Sequence, residues 1–562
     1  MQLDLTTTPL SRYGSYLALS RLQPDRLALR DLRGGDDVPA DIFWLQVYHQ
    51  GQPVDFTERA EPVGLVLSAG EKGRIELEFL ADGTLAMDCQ GLSLRLEAIK
   101  SRYDSFYALD ERTWRYDCYS KEIKYLFQLP LGQLAVDAPW QRVGNSHLVL
   151  VANPDGQRAR LLLSDFRTEP GVRPDRTGQS PEFSVWRDQL LGSAQRHPAA
   201  ADSELAAYLL WANSVHAAGR LSHDAVYMSK NRMQNIWSWD NAFIALALGR
   251  AFPELSFQQL DLFFQYQDES GVFPDFINDR FLSYNCCKPP VYGFFVRRLL
   301  ARHAYFQQPA VLERIYAALV KNSAFWLQHR TLAAGTLPVY FHGNDSGWDN
   351  ATIFAGGVPV EAPDLATFLI LQLETQALLA DALALTAAAG QADSLSAAAA
   401  EHRVQADLLT ARLLERLWDG RGFLARRAPG YAPIAERESL ILCMPLLLHE
   451  RLPRSVVDDL VRDLTLQFET DWGLASEAVA SPLFEPEGYW RGPIWPAPMF
   501  LLVTALQDAG YPEIATRLRE KFFQLVATGG MAENFQPLTG AGLSDTGFSW
   551  TAAVYLLLSE EA

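Results

Sequence analysis

From about residue 202 to its end the chain keeps a helical period, and every second helical segment is apolar on nearly all sides. The segments run 202–218 with 240–250, 256–267 with 289–303, 309–329 with 362–388, 391–418 with 436–449, 454–468 with 494–508 and 510–526 with 548–560. That makes twelve helices in six hairpins. The first member of a pair tends to be amphipathic, as in EHRVQADLLTARLLERLW, whereas the second reads NAFIALALG, SLILCMPLLL or APMFLLVTAL. A helix without a polar face must be buried all round, so the second members predict an inner ring sheathed by the first. The hairpins vary in length and carry unlike loops. Repeats of an open solenoid share a length and a consensus, so a closed (α/α)6 toroid is the preferred reading.

The loop entering each second helix is where aromatic, Gly-Pro and acidic residues concentrate: NIWSWD, YNCCKPP, FHGNDSGWDN, YWRGPIW and AENFQPLTG. On one end of a closed ring such loops converge on the axis. In the first of them Asp240 sits among Trp237, Trp239 and Phe243. Aromatic neighbours desolvate a carboxyl group and raise its pKa, which an acid catalyst near neutral pH requires. An Asp beside tryptophans also suits a helix cap or an acceptor for an indole N–H. Ring closure brings the first and last hairpins together, and with them Asp240 and Glu533. Two carboxylates across a pocket are what glycosidic hydrolysis needs, and a separation of about 6.5–9.5 Å leaves room for an inverting water. The plain alternative for Glu533 is a loop carboxylate bonded to backbone.

Around these acids, Trp348, Tyr489, Trp490 and Trp495 suit either stacking on sugar C–H faces or ordinary core packing. Arg491 and Asp349 suit either hydrogen bonds to hydroxyls or bridges between loops. Gly347, Gly492 and Gly540 fit close backbone approach at bends. His342, Asn344 and Asp345 resemble an oxygen-rich cation site, but NDSGWDN departs from the EF-hand order, so no metal or cofactor is assigned.

The N-terminal part has a different period. Across about residues 15–165 it is two: Ile75, Leu77 and Phe79 alternate with Arg74, Glu76 and Glu78, and the apolar side resumes after Asp82-Gly83 at Leu85, Met87 and Cys89. A second hairpin is expected from HLVLVAN, Pro154-Asp155-Gly156 and RARLLLS, with further strands at DIFWLQVY and YLFQLPL. The predicted organisation is multidomain and mainly α. An antiparallel β-sandwich spans 1–165, an extended Pro-rich connection 166–200, and the (α/α)6 catalytic toroid 201–562.

With 49 basic against 67 acidic residues the formal charge is −18, so nucleic acid and anionic membrane are poor partners. No stretch of about 18 uninterrupted apolar residues and no basic-then-apolar start is present. Five scattered cysteines suit free thiols in a reducing cytoplasm. Oligomeric state is left open.

At the loops the chain resembles glycoside hydrolase family 63 and its bacterial relatives, which include processing α-glucosidase I and the mannosylglycerate and glucosylglycerate hydrolases. The resemblance covers about residues 200–560. It rests on WSWDNAF, KPP at Lys288–Pro290, SGWDN at Ser346–Asn350, YWRGPIW at Tyr489–Trp495, and ENFQPLTG followed by FSWTAA. It implies an inverting, exo-acting hydrolase of α-linked glucose or mannose in a small carbohydrate, with Asp240 as general acid and Glu533 as general base. Phe535 and Gln536 depart slightly from the relatives' pattern beside that base. A disaccharide phosphorylase, a non-catalytic glycan-binding protein and a sugar epimerase are the rival readings. A phosphorylase should show basic or hydroxyl donors where Glu533 stands, and an epimerase a nearby histidine.

Overall fold

In the strand Arg74–Phe79 every second side chain is buried, with Ile75, Leu77 and Phe79 inward. It pairs antiparallel with Leu85–Gln90, Phe79 opposite Leu85 and Ile75 opposite Cys89, as the alternation predicts. The computed structural model describes residues 1–23, 25–166, 181–192 and 200–560. Its contacts divide into two units. One comprises Met1–Gln189, Ala207–Asn235 and Asn278–Phe281, the other Leu190–Ala206, Ile236–Ile277 and Leu282–Ala562.

The first unit holds two antiparallel sheets. The seven-stranded sheet runs Leu17–Gln23, Arg26–Asp31, Asp41–His49, Ser93–Ala98, Val149–Asn153, Gln133–Asp137, with Gln52–Pro53 beside Asp41–His49. The eight-stranded sheet runs Ser105–Ala108, Thr113–Cys118, Ile123–Leu131, Arg158–Phe166, Leu85–Gln90, Arg74–Phe79, Gly64–Ser68, Thr57–Glu61. Phe43 of the former meets Tyr116 and Phe127 of the latter at centroid distances of 5.6 and 5.8 Å, so the inner faces share an apolar layer.

The second expected hairpin does not form. Val149–Asn153 pairs within the seven-stranded sheet, whereas Arg158–Phe166 pairs with Ile123–Leu131 and Leu85–Gln90 in the other. The Pro154-Asp155-Gly156 turn thus carries the chain between sheets. Alternation fixes which face of a strand is buried, and either neighbour satisfies it.

The stretch 166–200 also departs from an extended connection, because Phe183–Gly192 is a helix, α1. Phe183, Trp186 and Leu190 are buried at helical spacing, and that apolar face outweighs the flanking prolines. Pro170, Pro174 and Pro198 lie outside the described residues.

In the second unit the expected inner segments are α3 (Ser238–Leu248), α5 (Tyr292–Arg302), α7 (Pro363–Ala384), Leu440–Leu448, α10 (Pro496–Asp508) and α12 (Ser549–Glu560). Their expected partners are α4 (Pro253–Gln265), α6 (Pro309–His329), α8 (Ala389–Leu417), α9 (Arg454–Asp463), α11 (Pro512–Gly529) and α2 (Ala200–Ala212), which runs from this unit into the first and is buried from Ala206 onward rather than amphipathic. Every residue of α3 and of Leu440–Leu448 is buried, as helices without a polar face require. Each inner segment packs on the next: α3 on α5, α5 on α7, α7 on Leu440–Leu448, that on α10, α10 on α12, and α12 back on α3. The long apolar α7 could span a membrane by length and composition, yet most of it is buried here between neighbours.

Local chemistry explains the differences in bounds. Helix α2 stops at Ala212, short of the expected 218, because Ser214–Val215 pairs with Ala225–Val226. Helix α5 starts only after Pro289-Pro290, which disfavour helix before them. Leu440–Leu448 is a 3-10 helix rather than an α-helix: Pro445 lacks an N–H and its ring crowds the preceding turn.

Phe243 on α3 is the aromatic centre of this packing. Its ring lies 4.5 Å from Phe295 of α5, 5.8 Å from Phe500 of α10 and 5.4 Å from Trp550 of α12. Phe243→Ala should therefore destabilise the helical unit by about 3–5 kcal/mol, measured as a shift in the denaturant midpoint of its tryptophan fluorescence. A loss below about 1 kcal/mol would mean that the seam does not depend on this ring.

Candidate active site

The site begins where α3 starts. Ile236–Trp237 pairs with Phe276–Ile277, and the Ser238 N–H donates to the Asp275 carbonyl at 2.9 Å, which fixes the helix entry. Asp240 falls in the first turn, where free N–H groups favour a carboxylate. Burial opposes that and prevails. Its pKa is pushed up to about 8, first by desolvation and secondarily by the charges of Glu533 and Asp275, while Lys288 pulls it down. Asp240 is thus largely neutral at pH 7, the state an acid catalyst needs.

The second loop, ahead of α5, delivers Lys288. Its ammonium lies 3.2 Å from Asp275 Oδ1 and donates to the Asn344 carbonyl at 2.9 Å. The adjacent Cys287 N–H donates to Asp345 Oδ1 at 3.1 Å. Asp345 Oδ2 accepts from Arg330 at 2.8 Å and from the N–H groups of Phe341 and His342 at 2.9 and 3.2 Å. The oxygen-rich NDSGWDN sequence therefore caps its own turn and ties two loops together. Among the described residues no cluster of His, Cys, Asp and Glu is arranged to hold a metal ion. Gly347, at φ +75°, lies so close to the Trp239 indole that a Cβ there would stand 2.4 Å from it. Asp349 has a raised pKa, pushed up by burial and pulled down by Lys288.

The loop ahead of α10 bonds to the same region: Trp490 N–H donates to Asn350 Oδ1 at 2.9 Å, and Asn350 Nδ2 donates to the Gly488 carbonyl at 3.0 Å. Arg491 donates to the Asn350 carbonyl at 3.1 Å and pairs with Glu485 at 3.2 Å, so it bridges loops. Tyr489, at φ +65°, donates its hydroxyl to Glu533 Oε1 at 2.9 Å. Glu533 stands on the strand Ala532–Phe535, paired with Gly542–Thr546, and its Oε2 also accepts the Asp545 N–H at 3.2 Å. Burial raises the Glu533 carboxyl to about 7, opposed by those two hydrogen bonds.

Four of the predicted tryptophans, Trp239, Trp348, Trp490 and Trp495, pack together with Trp550. Trp490 and Trp495 stack at 4.0 Å and 3°, Trp348 lies 4.6 Å from Trp490, and Trp239 lies 4.9 Å from Trp550. All five are buried, and the face that Trp490 and Trp495 turn to each other is spent on that contact. Trp237 differs: it is half-buried, its ring 6.1 Å from Phe276. Five loops thus bring Asp240, Lys288, Asp349, Tyr489 and Glu533 into electrostatic reach of one another. Sequence reasoning gave no role to Lys288 or Asp275. The available signal was one charge in the otherwise uncharged stretch FLSYNCCKPPVYGFF.

Two buried carboxyls raised towards neutrality, the charge of one acting on the other, define the class of site that acid–base glycoside hydrolases use. Residues 233–551 match the mannosylglycerate hydrolase MGH1-like glycoside hydrolase domain family, and the chain belongs to that family. It is 40% identical over 83 residues to the mannosylglycerate hydrolase of Thermus thermophilus, which covers 15% of this chain and 20% of that one. The matched stretch is thus about a fifth of that relative's length. The mannosylglycerate hydrolase of Rubrobacter radiotolerans is 23% identical over 410 residues, 57% of this chain and 89% of that one. In fold, the chain is similar to the crystal structure of a family 63 mannosylglycerate hydrolase from Thermus thermophilus in complex with glucose. The TM-score is 0.54 at 23% identity, over 63% of this chain and 99% of that one.

Because the Tyr489 hydroxyl stabilises ionised Glu533, Tyr489→Phe should move the Glu533 carboxyl further upward. A hydrogen bond to a charged group is worth about 1.5–3 kcal/mol, or roughly one to two pH units. Titration of the carboxyl by isotope-edited infrared spectroscopy checks this, and an unchanged midpoint would remove Tyr489 as its partner.

Proposed function

We propose that the protein is an inverting, exo-acting α-glycosidase that releases a terminal α-linked glucose or mannose from a small glycoside, with mannosylglycerate and glucosylglycerate as the first substrates to try. The scaffold would be an (α/α)6 toroid with the pocket at one mouth. The return of α12 onto α3 supports closure, and α12 also packs against the Glu533 strand. The observation that carries the reading is the pair of buried acids, Asp240 at about 8 and Glu533 at about 7.

In the reaction a water attacks the anomeric carbon from the face opposite the leaving group. Glu533 takes a proton from that water, the glycosidic C–O bond breaks, and Asp240 gives its proton to the departing oxygen. Asp349 would accept hydrogen bonds from sugar hydroxyls, with Trp237 at the sugar and the buried indoles of Trp239, Trp348, Trp490 and Trp495 holding the loops that shape the pocket. Arg491 would act by fixing the loop of Tyr489. A phosphorylase would need donors for phosphate where a carboxylate stands, so the presence of Glu533 favours water as the nucleophile.

The pH dependence follows from the two groups. The base is ionised above about 7 and the acid protonated below about 8, so kcat/KM should be bell-shaped with its maximum between them. The two limbs belong to the coupled pair. A hydrolysis panel of mannosylglycerate, glucosylglycerate, kojibiose, nigerose and trehalose tests the function. Asp240→Asn and Glu533→Gln should each lower kcat/KM by about 10²–10⁴-fold on whichever substrate turns over. Wild-type rates in either variant, or no turnover of any α-glucoside or α-mannoside, would overturn the assignment.

A further inference from the structure

We infer that Lys288 is a positioning residue, the fixed positive charge that is anchored on Asp275 and the Asn344 carbonyl and sets the field felt by Asp349 and Asp240. The inference rests on the hydrolase reading for its purpose but not for its test. The Lys288 side chain is 7% exposed, and its ammonium is fixed by two contacts, Asp275 Oδ1 at 3.2 Å and the Asn344 carbonyl at 2.9 Å. Its charge acts on three acids, Asp275, Asp349 and Asp240. Asp240 also feels Glu533 and Asp275, and the phenols of Tyr292 and Tyr489 feel Asp240 in turn. Asp349 also feels Asp275 and His342.

The other cations near these loops are engaged elsewhere. The Arg330 guanidinium bonds to Asp345 at 2.8 Å, and Arg491 bonds to Glu485 and the Asn350 carbonyl. A buried carboxylate stays ionised only when an opposite charge or hydrogen bonds repay its desolvation. For Asp275 that compensation comes from Lys288, and for Asp349 Lys288 leads it, ahead of a backbone hydrogen bond and His342. A lysine suits the task because it is a compact point charge that three acids can share, rather than a planar fork committed to one. Pro289 and Pro290 follow it directly, restricting the backbone that carries it.

Removing this charge should leave Asp275 and Asp349 to take up protons and should move Asp240 upward, since Lys288 is the larger of the two influences that draw it down, ahead of a backbone hydrogen bond. A lysine that served only packing would alter stability and leave Asp240 where it was. The test is an infrared titration of the Asp240 carboxyl in the full-length, ligand-free protein, with the band assigned by its loss in Asp240→Asn. It is run on wild type, Lys288→Met and Lys288→Arg, each matched by near-ultraviolet circular dichroism. Lys288→Met should raise the Asp240 midpoint by about one unit or more, and Lys288→Arg should restore most of it. Should Lys288→Met not fold, Lys288→Gln gives the same readout while keeping a donor for Asn344. With a hydrolysable substrate, the alkaline limb of kcat/KM should rise in step and KM should increase. An Asp240 midpoint unchanged in the folded neutral variant overturns the inference. Because the titration needs no substrate, a failed hydrolysis panel would count against the proposed function alone.

Discussion

Taking carboxylic acids out of water is the constraint on which this site depends. Asp240, in the first turn of α3, and Glu533, on the strand Ala532–Phe535, are both buried, and desolvation is the leading cause of both raised pKa values. The linkage sign follows. A carboxyl whose folded pKa lies above its unfolded value binds its proton more tightly in the folded state. Its stabilising contribution is therefore complete below the ordinary carboxylate range and is lost as pH rises through about 7 for Glu533 and about 8 for Asp240. The helical unit thus holds these acids at a cost to its own stability near neutral pH. The extensive apolar burial of α3, α12 and their neighbours is what offsets it.

The same burial explains the loop architecture. Indoles packed face to face leave little room for water, and a dry site strengthens every charge interaction within it. The loops are then locked by specific contacts: Asp345 gathers backbone N–H groups from its own loop and the one ahead of α5, Asn350 ties the Asp345 loop to the one ahead of α10, and Tyr489 adopts a left-handed backbone while reaching Glu533. Gly347 is required where its backbone meets Trp239. Each of these devices serves orientation, which is where a positioned acid and base gain their effect.

Much of this was legible in the sequence, for physical reasons. Helices without a polar face have one solution, burial, so NAFIALALG and APMFLLVTAL announced inner segments, and the loops ahead of them announced where unlike residues would meet. Pairing was harder. HLVLVAN and RARLLLS each show their buried face, but nothing in a period of two says that the turn between them passes from one sheet to the other. The helix Phe183–Gly192 was hidden because its prolines were more conspicuous than its three buried apolar residues. Pro445 made Leu440–Leu448 a 3-10 helix, a distinction that hydrophobic patterning does not carry. Lys288 went unassigned because a charge in a loop ordinarily reads as solvated, and only packing shows that this one is buried among acids.

The proposed chemistry turns on an acid and a base acting from opposite faces of one glycosidic bond. The most direct test is proton NMR of the first product formed from an α-linked substrate, recorded before mutarotation. Release of the β-anomer is the result that Asp240 as acid and Glu533 as base demand; release of the α-anomer would contradict it.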